Sequence, residues 1–134
     1  MHLYDTNAIS ALVHQRAGFE RLAARIDATR PAERGVSTIT LSEVQTMIAK
    51  ASAPREKGAR VWRILLNFRI LDFDEAAALH AALIRAYLEP RGLKIGPLDT
   101  LIAAHARSLD AVLITDNVRE FARVPSLDVE SWAR

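Results

Sequence analysis

Short apolar runs alternate along this chain with segments of helical length. Few architectures accommodate that alternation. His2–Asp5 reads as a buried strand that ends in an acid, Val36–Ile39 (VSTI) as a second strand, and Ile70–Phe73 (ILDF) as a third. Ala111–Ile114 (AVLI) is a clear apolar strand, and Leu127–Val129 is a candidate last one. Between them, helices are expected over Asn7–Val13, Phe19–Ala28, Thr40–Ala51, Glu56–Phe68, Glu75–Glu89 and Val118–Phe121. Another opens at Gly96-Pro97, a pair that suits an N-cap and first helical position, and runs to about Leu109. Thr29–Gly35 is expected to be a polar loop, and Ser52–Pro54 a break, because a residue before proline is pushed out of helical geometry. Strands separated by helices imply a mostly parallel sheet with helices on both faces, an α/β chain in three layers. At 134 residues it is expected to be a single domain, residues 1–134, with one hydrophobic core.

Several function classes drop out early. No run approaches the roughly 20 apolar residues of a membrane span. The opening MHLYD lacks a basic segment followed by a long apolar one, so no signal peptide and a cytoplasmic location are expected. Cysteine is absent, which excludes disulfides, thiolate metal sites and a cysteine nucleophile. The four histidines, His2, His14, His80 and His105, show no ligand spacing and are read as structural.

The acids carry the chemistry. Asp5 ends the first strand, and Asp116 follows the AVLI strand. Glu43 falls in the expected first turn of the helix after strand two, and Asp99 in the first turn of the helix opened by Gly96-Pro97. In open α/β sheets, ligands bind beyond the carboxyl ends of the strands. These four acids therefore share an address. Each also has a structural reading. Thr40-Leu41-Ser42-Glu43 and Asn117-Val118-Arg119-Glu120 both match capping boxes. Asp99 suits the helix dipole, and Asp5 could cap the helix that follows it. Asp5 and Asp116 fit the structural reading least well, since each terminates an apolar strand. Converging carboxylates repel one another, and a hard divalent cation such as Mg²⁺ or Mn²⁺ relieves that repulsion. Oxygen ligands without Cys or His point to phosphate chemistry more than to zinc.

Four motifs then match a known family in order and at its spacing. They are Tyr4-Asp5-Thr6-Asn7; the run from Ser37 to Glu43; Ile95-Gly96-Pro97-Leu98-Asp99-Thr100 with the helix after it; and Leu113 to Phe121, followed by Val124-Pro125 and Val129-Glu130-Ser131-Trp132. Over essentially its whole length the chain resembles the PIN-domain family and, within it, the VapC toxins of type II toxin–antitoxin modules. The resemblance implies a three-layer α/β/α fold. It also implies an Mg²⁺- or Mn²⁺-dependent endoribonuclease, inhibited by a cognate VapB antitoxin. Asp5, Glu43, Asp99 and Asp116 carry over as the catalytic and metal-binding quartet. Thr6 and Thr115 carry over as secondary polar contacts, and Asn117 and Glu120 as further secondary residues. Some members have an amide where Asp116 stands. The implied partners are VapB, an RNA substrate, a second copy of the chain, and operator DNA through the antitoxin.

Fifteen of the 18 basic residues are arginine, whose planar fork suits phosphate. A basic segment, Lys50, Arg55, Lys57, Arg60 and Arg63, has Glu56 as its only acid. It reads either as a solvated helix face or as an RNA track. Arg60–Leu71 is too apolar for one core-facing stripe, so it is either deeply buried or covered by a partner. Trp62, Phe68 and Trp132 are expected in the core or at an interface. Two other functions stay open: a regulatory nucleic-acid-binding module acting with its antitoxin on operator DNA, and a PIN nuclease acting on DNA.

Overall fold

A computed structural model describes residues 1–134. The strands are β1 (His2–Tyr4), β2 (Arg34–Ser37), β3 (Arg69–Leu71), β4 (Val112–Ile114) and β5 (Asp128–Glu130). The helices are α1 (Thr6–His14), α2 (Phe19–Asp27), α3 (Thr38–Ala49), α4 (Pro54–Leu65), α5 (Glu75–Leu88), α6 (Pro97–Ser108) and α7 (Val118–Phe121). All neighbouring strands are parallel, in the order β3-β2-β1-β4-β5. No helix is long and apolar enough to cross a membrane.

The pleat of the two central strands divides the core. Successive strand residues face opposite sides of a sheet. Leu3 and its register partner Leu113 face α5 and α6, where Ile84, Leu88 and Ile102 are fully buried with Phe121. Tyr4 and its partner Ile114 face the other way, among Ile9 of α1, Leu22 of α2, Val44 of α3 and Val61 and Leu65 of α4. This is the expected three-layer arrangement, with apolar side chains on both faces of the sheet.

The structure departs from the sequence reading around β2. Thr29–Gly35 is not simply a loop. Pro31–Glu33 forms one 3-10 turn and the strand starts at Arg34, whose buried guanidinium donates to the carbonyls of Thr29 and Asp27. The strand then ends at Ser37 and α3 begins two residues earlier than expected. The reason is the cap. Ser37 Oγ accepts from the Ile39 amide and lies 2.8 Å from Nδ1 of the buried His105. Thr38 Oγ1 accepts from the Phe73 amide, which ties the helix start to the chain after β3. These tertiary bonds outweigh the β preference of Val36-Ser37-Thr38-Ile39. Gly96 and Pro97 do open α6 as expected.

Candidate active site

Strand pairing places two of the acids at one rim. Tyr4 pairs with Ile114, so the next residues along, Asp5 and Thr115, leave the sheet side by side. The Asp5 amide donates to the Ile114 carbonyl, and the Thr115 amide to that of Glu130. Asp5 is the N-cap of α1, its Oδ1 accepting from the Ala8 amide at 2.8 Å. It is nevertheless 2 % exposed. Burial raises its pKa to about 7; the Thr115 hydroxyl and the Ala8 amide oppose the shift, while Asp99 and Asp116 add to it.

Asp99 occupies the third position of α6 and is partly buried. Burial raises its pKa to about 6, and repulsion from Glu120 and then Glu43 adds to the effect. Asp5 thus senses the charges of Asp99 and Asp116, and Asp99 those of Glu120 and Glu43. Neither ion pair of the molecule involves them: Arg30–Glu33 and Arg85–Glu89 both lie on the surface.

Neither expected capping box forms. Glu43 lies in the second turn of α3, because that helix starts at Thr38. Its Oε1 accepts from Thr6 Oγ1 at 2.6 Å, and that hydroxyl is also 3.2 Å from Thr40 Oγ1. Glu120 reaches across to the start of α6, with Oε1 accepting from the Gly96 amide at 3.2 Å and Oε2 from Asn117 Nδ2 at 2.7 Å. Asn117 precedes α7 without a side-chain cap, and its own amide donates to Thr115 Oγ1. Asp116 stands at the outer edge, exposed, with Oδ1 accepting from Ser131 Oγ at 2.6 Å. Ser131 is not legible as a site neighbour in the sequence, since only the fold of β5 returns it to the rim.

No three carboxylates or imidazoles close around a single point as a complete ligand cage. The acids form an open rim instead. Their chemistry still suits a hard cation, because Mg²⁺ commonly takes one or two carboxylates and fills its remaining positions with water and substrate phosphate. A buried Asp5 carboxylate with no cationic partner is the residue most in need of such a charge.

The basic segment is separate in character. Lys50, Arg55, Arg60 and Arg63 are exposed, while Lys57 is partly covered and lies 2.9 Å from Nε2 of His14. Other arginines lie closer to the acids. Arg16 lines a cavity of about 360 Å³ between α1, α2 and the end of β4, together with Asp116 and Asn117. Arg21 and Arg134 line the adjoining groove, which also reaches Asp116. Trp132 is buried against Tyr4 and under the Arg25 guanidinium, and Phe68 packs on Tyr4, but Trp62 stands exposed.

Fold and sequence agree with what comparison finds. The PIN domain family matches residues 3–127. The tRNA(fMet)-specific endonuclease VapC of Salmonella typhimurium is 40 % identical over 97 residues, 72 % of this chain and 74 % of that one. Ribonuclease VapC2 of Haemophilus influenzae is 33 % identical over 131 residues, 98 % of this chain and 97 % of its own. The crystal structure of DNA-bound VapBC from Salmonella typhimurium superposes with a TM-score of 0.89 at 34 % identity, covering 98 % of this chain and 97 % of the other. The chain belongs to the PIN-domain family, and within it to the VapC ribonucleases.

Proposed function

We propose that this protein is the toxin of a VapBC-type module, a divalent-metal-dependent endoribonuclease held inactive by a VapB-like antitoxin. One observation carries the reading: Asp5 is buried with no side-chain ion-pair partner, the charges of Asp99 and Asp116 repel its own, and those of Glu120 and Glu43 repel that of Asp99. Asp5 and Asp99 would hold Mg²⁺ or Mn²⁺, with Glu43, Asp116 and Glu120 ligating or orienting water around them. A bound divalent ion supplies a more acidic water and stabilises charge on a phosphate oxygen. The chain's own groups do the rest. Thr6 fixes the Glu43 carboxylate, Thr115 and the Ala8 amide fix Asp5, and the Gly96 amide and Asn117 fix Glu120.

RNA is the proposed substrate because relatives are named as ribonucleases, one of them as a tRNA(fMet)-specific endonuclease. An antitoxin is the proposed partner because the similar solved structure is a VapBC complex. The α4 face, with Trp62 42 % and Leu66 83 % exposed, supplies an apolar surface for it. A second apolar stripe on α5, Leu79, Leu83 and Tyr87, recurs every fourth residue and suits a second copy of the chain. A purely regulatory binder would gain nothing from clustered negative charge near phosphate. The test is incubation with total RNA, with Mg²⁺ or EDTA, with and without antitoxin and with single-stranded DNA as competitor. Cleavage confined to the Mg²⁺, antitoxin-free samples is expected, and mapping new 5′ ends identifies the target. Equal cleavage in EDTA, or exclusive cutting of DNA, would overturn the reading.

A further inference from the structure

The cavity beside the rim has a composition the acids do not explain. Its floor is apolar, made by Ala8 and Ala11 of α1, Leu22 of α2 and Ile114 of β4. Trp132 is 4 % exposed there and so serves as a wall, not as an open stacking platform. The mouth is polar, formed by Asn7, Arg16, Asp116 and Asn117. Arg16 is exposed and forms no ion pair, so its five donors are available. Asn117 spends its amide nitrogen on Glu120, which leaves its oxygen as an acceptor. Gly18, at φ 88°, lets the chain before α2 press against the C-terminal tail; a Cβ there would collide with the Ala133 carbonyl. That close approach holds one side of the cavity.

We propose that this cavity receives the base of a nucleotide flanking the scissile phosphate, with Arg16 gripping the phosphate of that nucleotide. The inference rests on the ribonuclease reading. Three features select a nucleotide. The cavity is continuous with the catalytic rim, since Thr115, Asp116 and Asn117 belong to both. Its volume, about 360 Å³, lies in the range of small-ligand sites, roughly 300–1,000 Å³. An apolar slot with amide groups and one free guanidinium at its mouth matches a base with a phosphate attached. The adjoining groove, which Glu20 also lines, adds Arg21 and Arg134; Arg134 donates to the Asp116 carbonyl, and Arg21 is the cation placed for a next phosphate. The site gives Arg16 and Ala11 roles in substrate selection that neither has as a surface residue or a helix filler.

The test uses Trp132 as reporter. Trp62→Phe leaves it the only tryptophan. The four nucleoside 5′-monophosphates are titrated in Mg²⁺, where they present no phosphodiester bond to cut, and ribose 5-phosphate is the control. Trp132 emission is expected to respond to the nucleotides, to one base at the lowest concentration, and hardly to ribose 5-phosphate. Ala11→Phe, which fills the slot, is expected to remove the response. Arg16→Gln, a surface change that leaves folding intact, is expected to weaken nucleotides but not nucleosides. In RNA cleavage Arg16→Gln is expected to raise KM roughly 10- to 150-fold, the range for losing a hydrogen bond to a charged phosphate, with kcat little altered. A response equal for ribose 5-phosphate and nucleotides overturns the proposal. So does an Ala11→Phe protein with an unchanged melting curve that binds nucleotides normally and loses only antitoxin affinity, since the cavity then belongs to the antitoxin. Failure of the ribonuclease reading has a separate sign: wild-type protein with metal cuts no RNA, whatever the titration gives.

Discussion

Asp5 shows at the scale of one residue how a site is built at the expense of stability. Its carboxylate caps α1 and is buried, and nothing cationic compensates it. With a folded pKa of about 7 against 3.8 for the free group, the native state keeps a proton that the unfolded chain has released. Stability contributed by that proton is full below pH 4 and lost as pH rises towards 7. Asp99, at about 6, acts in the same direction more weakly because it is less buried. In EDTA, wild type is expected to lose stability relative to Asp5→Asn as pH rises from 5 to 8. Asn still caps a helix, so the comparison isolates the charge. Melting curves of both proteins across that range decide it: a difference that is flat with pH, or grows in favour of wild type, contradicts the account. The same variant should lose RNA cleavage by on the order of 100-fold or more, beyond the 10–100-fold typical of residues behind a metal ligand.

Elements explain how much of this was legible in the sequence. An apolar run that stops at an acid marks Asp5 and Asp116 because a parallel strand must be apolar on both faces and its carboxyl end opens on solvent. Gly96-Pro97 marks the start of α6 and so places Asp99. The start of α3 was not legible, because its cap is set by contacts distant in sequence. Ser37 is held by His105, 68 residues on, and Thr38 by Phe73. With α3 starting at Thr38, Glu43 moves from a capping box to the Thr6 hydroxyl. The bond from Gly96 to Glu120, and the arginines beside the rim, likewise depend on packing between helices. Ser37→Ala removes a helix cap, worth about 1 kcal/mol. It also orphans a buried imidazole nitrogen, at about 1–3 kcal/mol. A loss of roughly 2–4 kcal/mol in urea unfolding is expected, and a loss below about 0.5 kcal/mol would show that the Ser37–His105 bond contributes nothing.

At the scale of the molecule, charge and apolar surface divide the labour. With five acids committed to the rim, eleven remain against 18 basic residues, an excess of seven positive charges. RNA binding is therefore expected to weaken steeply with salt, by a log–log slope near −0.7 for each phosphate neutralised. Reversing Arg55 and Arg60 to Glu separates the two basic regions. If the α4 segment is an RNA track, binding falls and the salt slope shrinks while metal affinity holds; if the groove arginines Arg16, Arg21 and Arg134 carry the RNA, the double reversal leaves binding nearly unchanged. Leu66→Lys is expected to weaken antitoxin capture without slowing cleavage by free toxin, and Leu83→Lys to shift a dimer towards monomer in sedimentation.

The central claim is that the rim acids are a cation site, and the most direct measurement is the melting temperature of wild type and Asp99→Asn in EDTA and in Mn²⁺. Relief of repulsion should at least match the dipole interaction that Asn gives up, about 0.3–1 kcal/mol, so the variant is expected to melt no lower than wild type in EDTA. Mn²⁺ at about 100 times its Kd stabilises the native state by about 2.7 kcal/mol, so wild type should rise by several degrees and Asp99→Asn much less. A variant that melts several degrees lower in EDTA, with both proteins responding equally to Mn²⁺, would make Asp99 a helix cap and contradict the account.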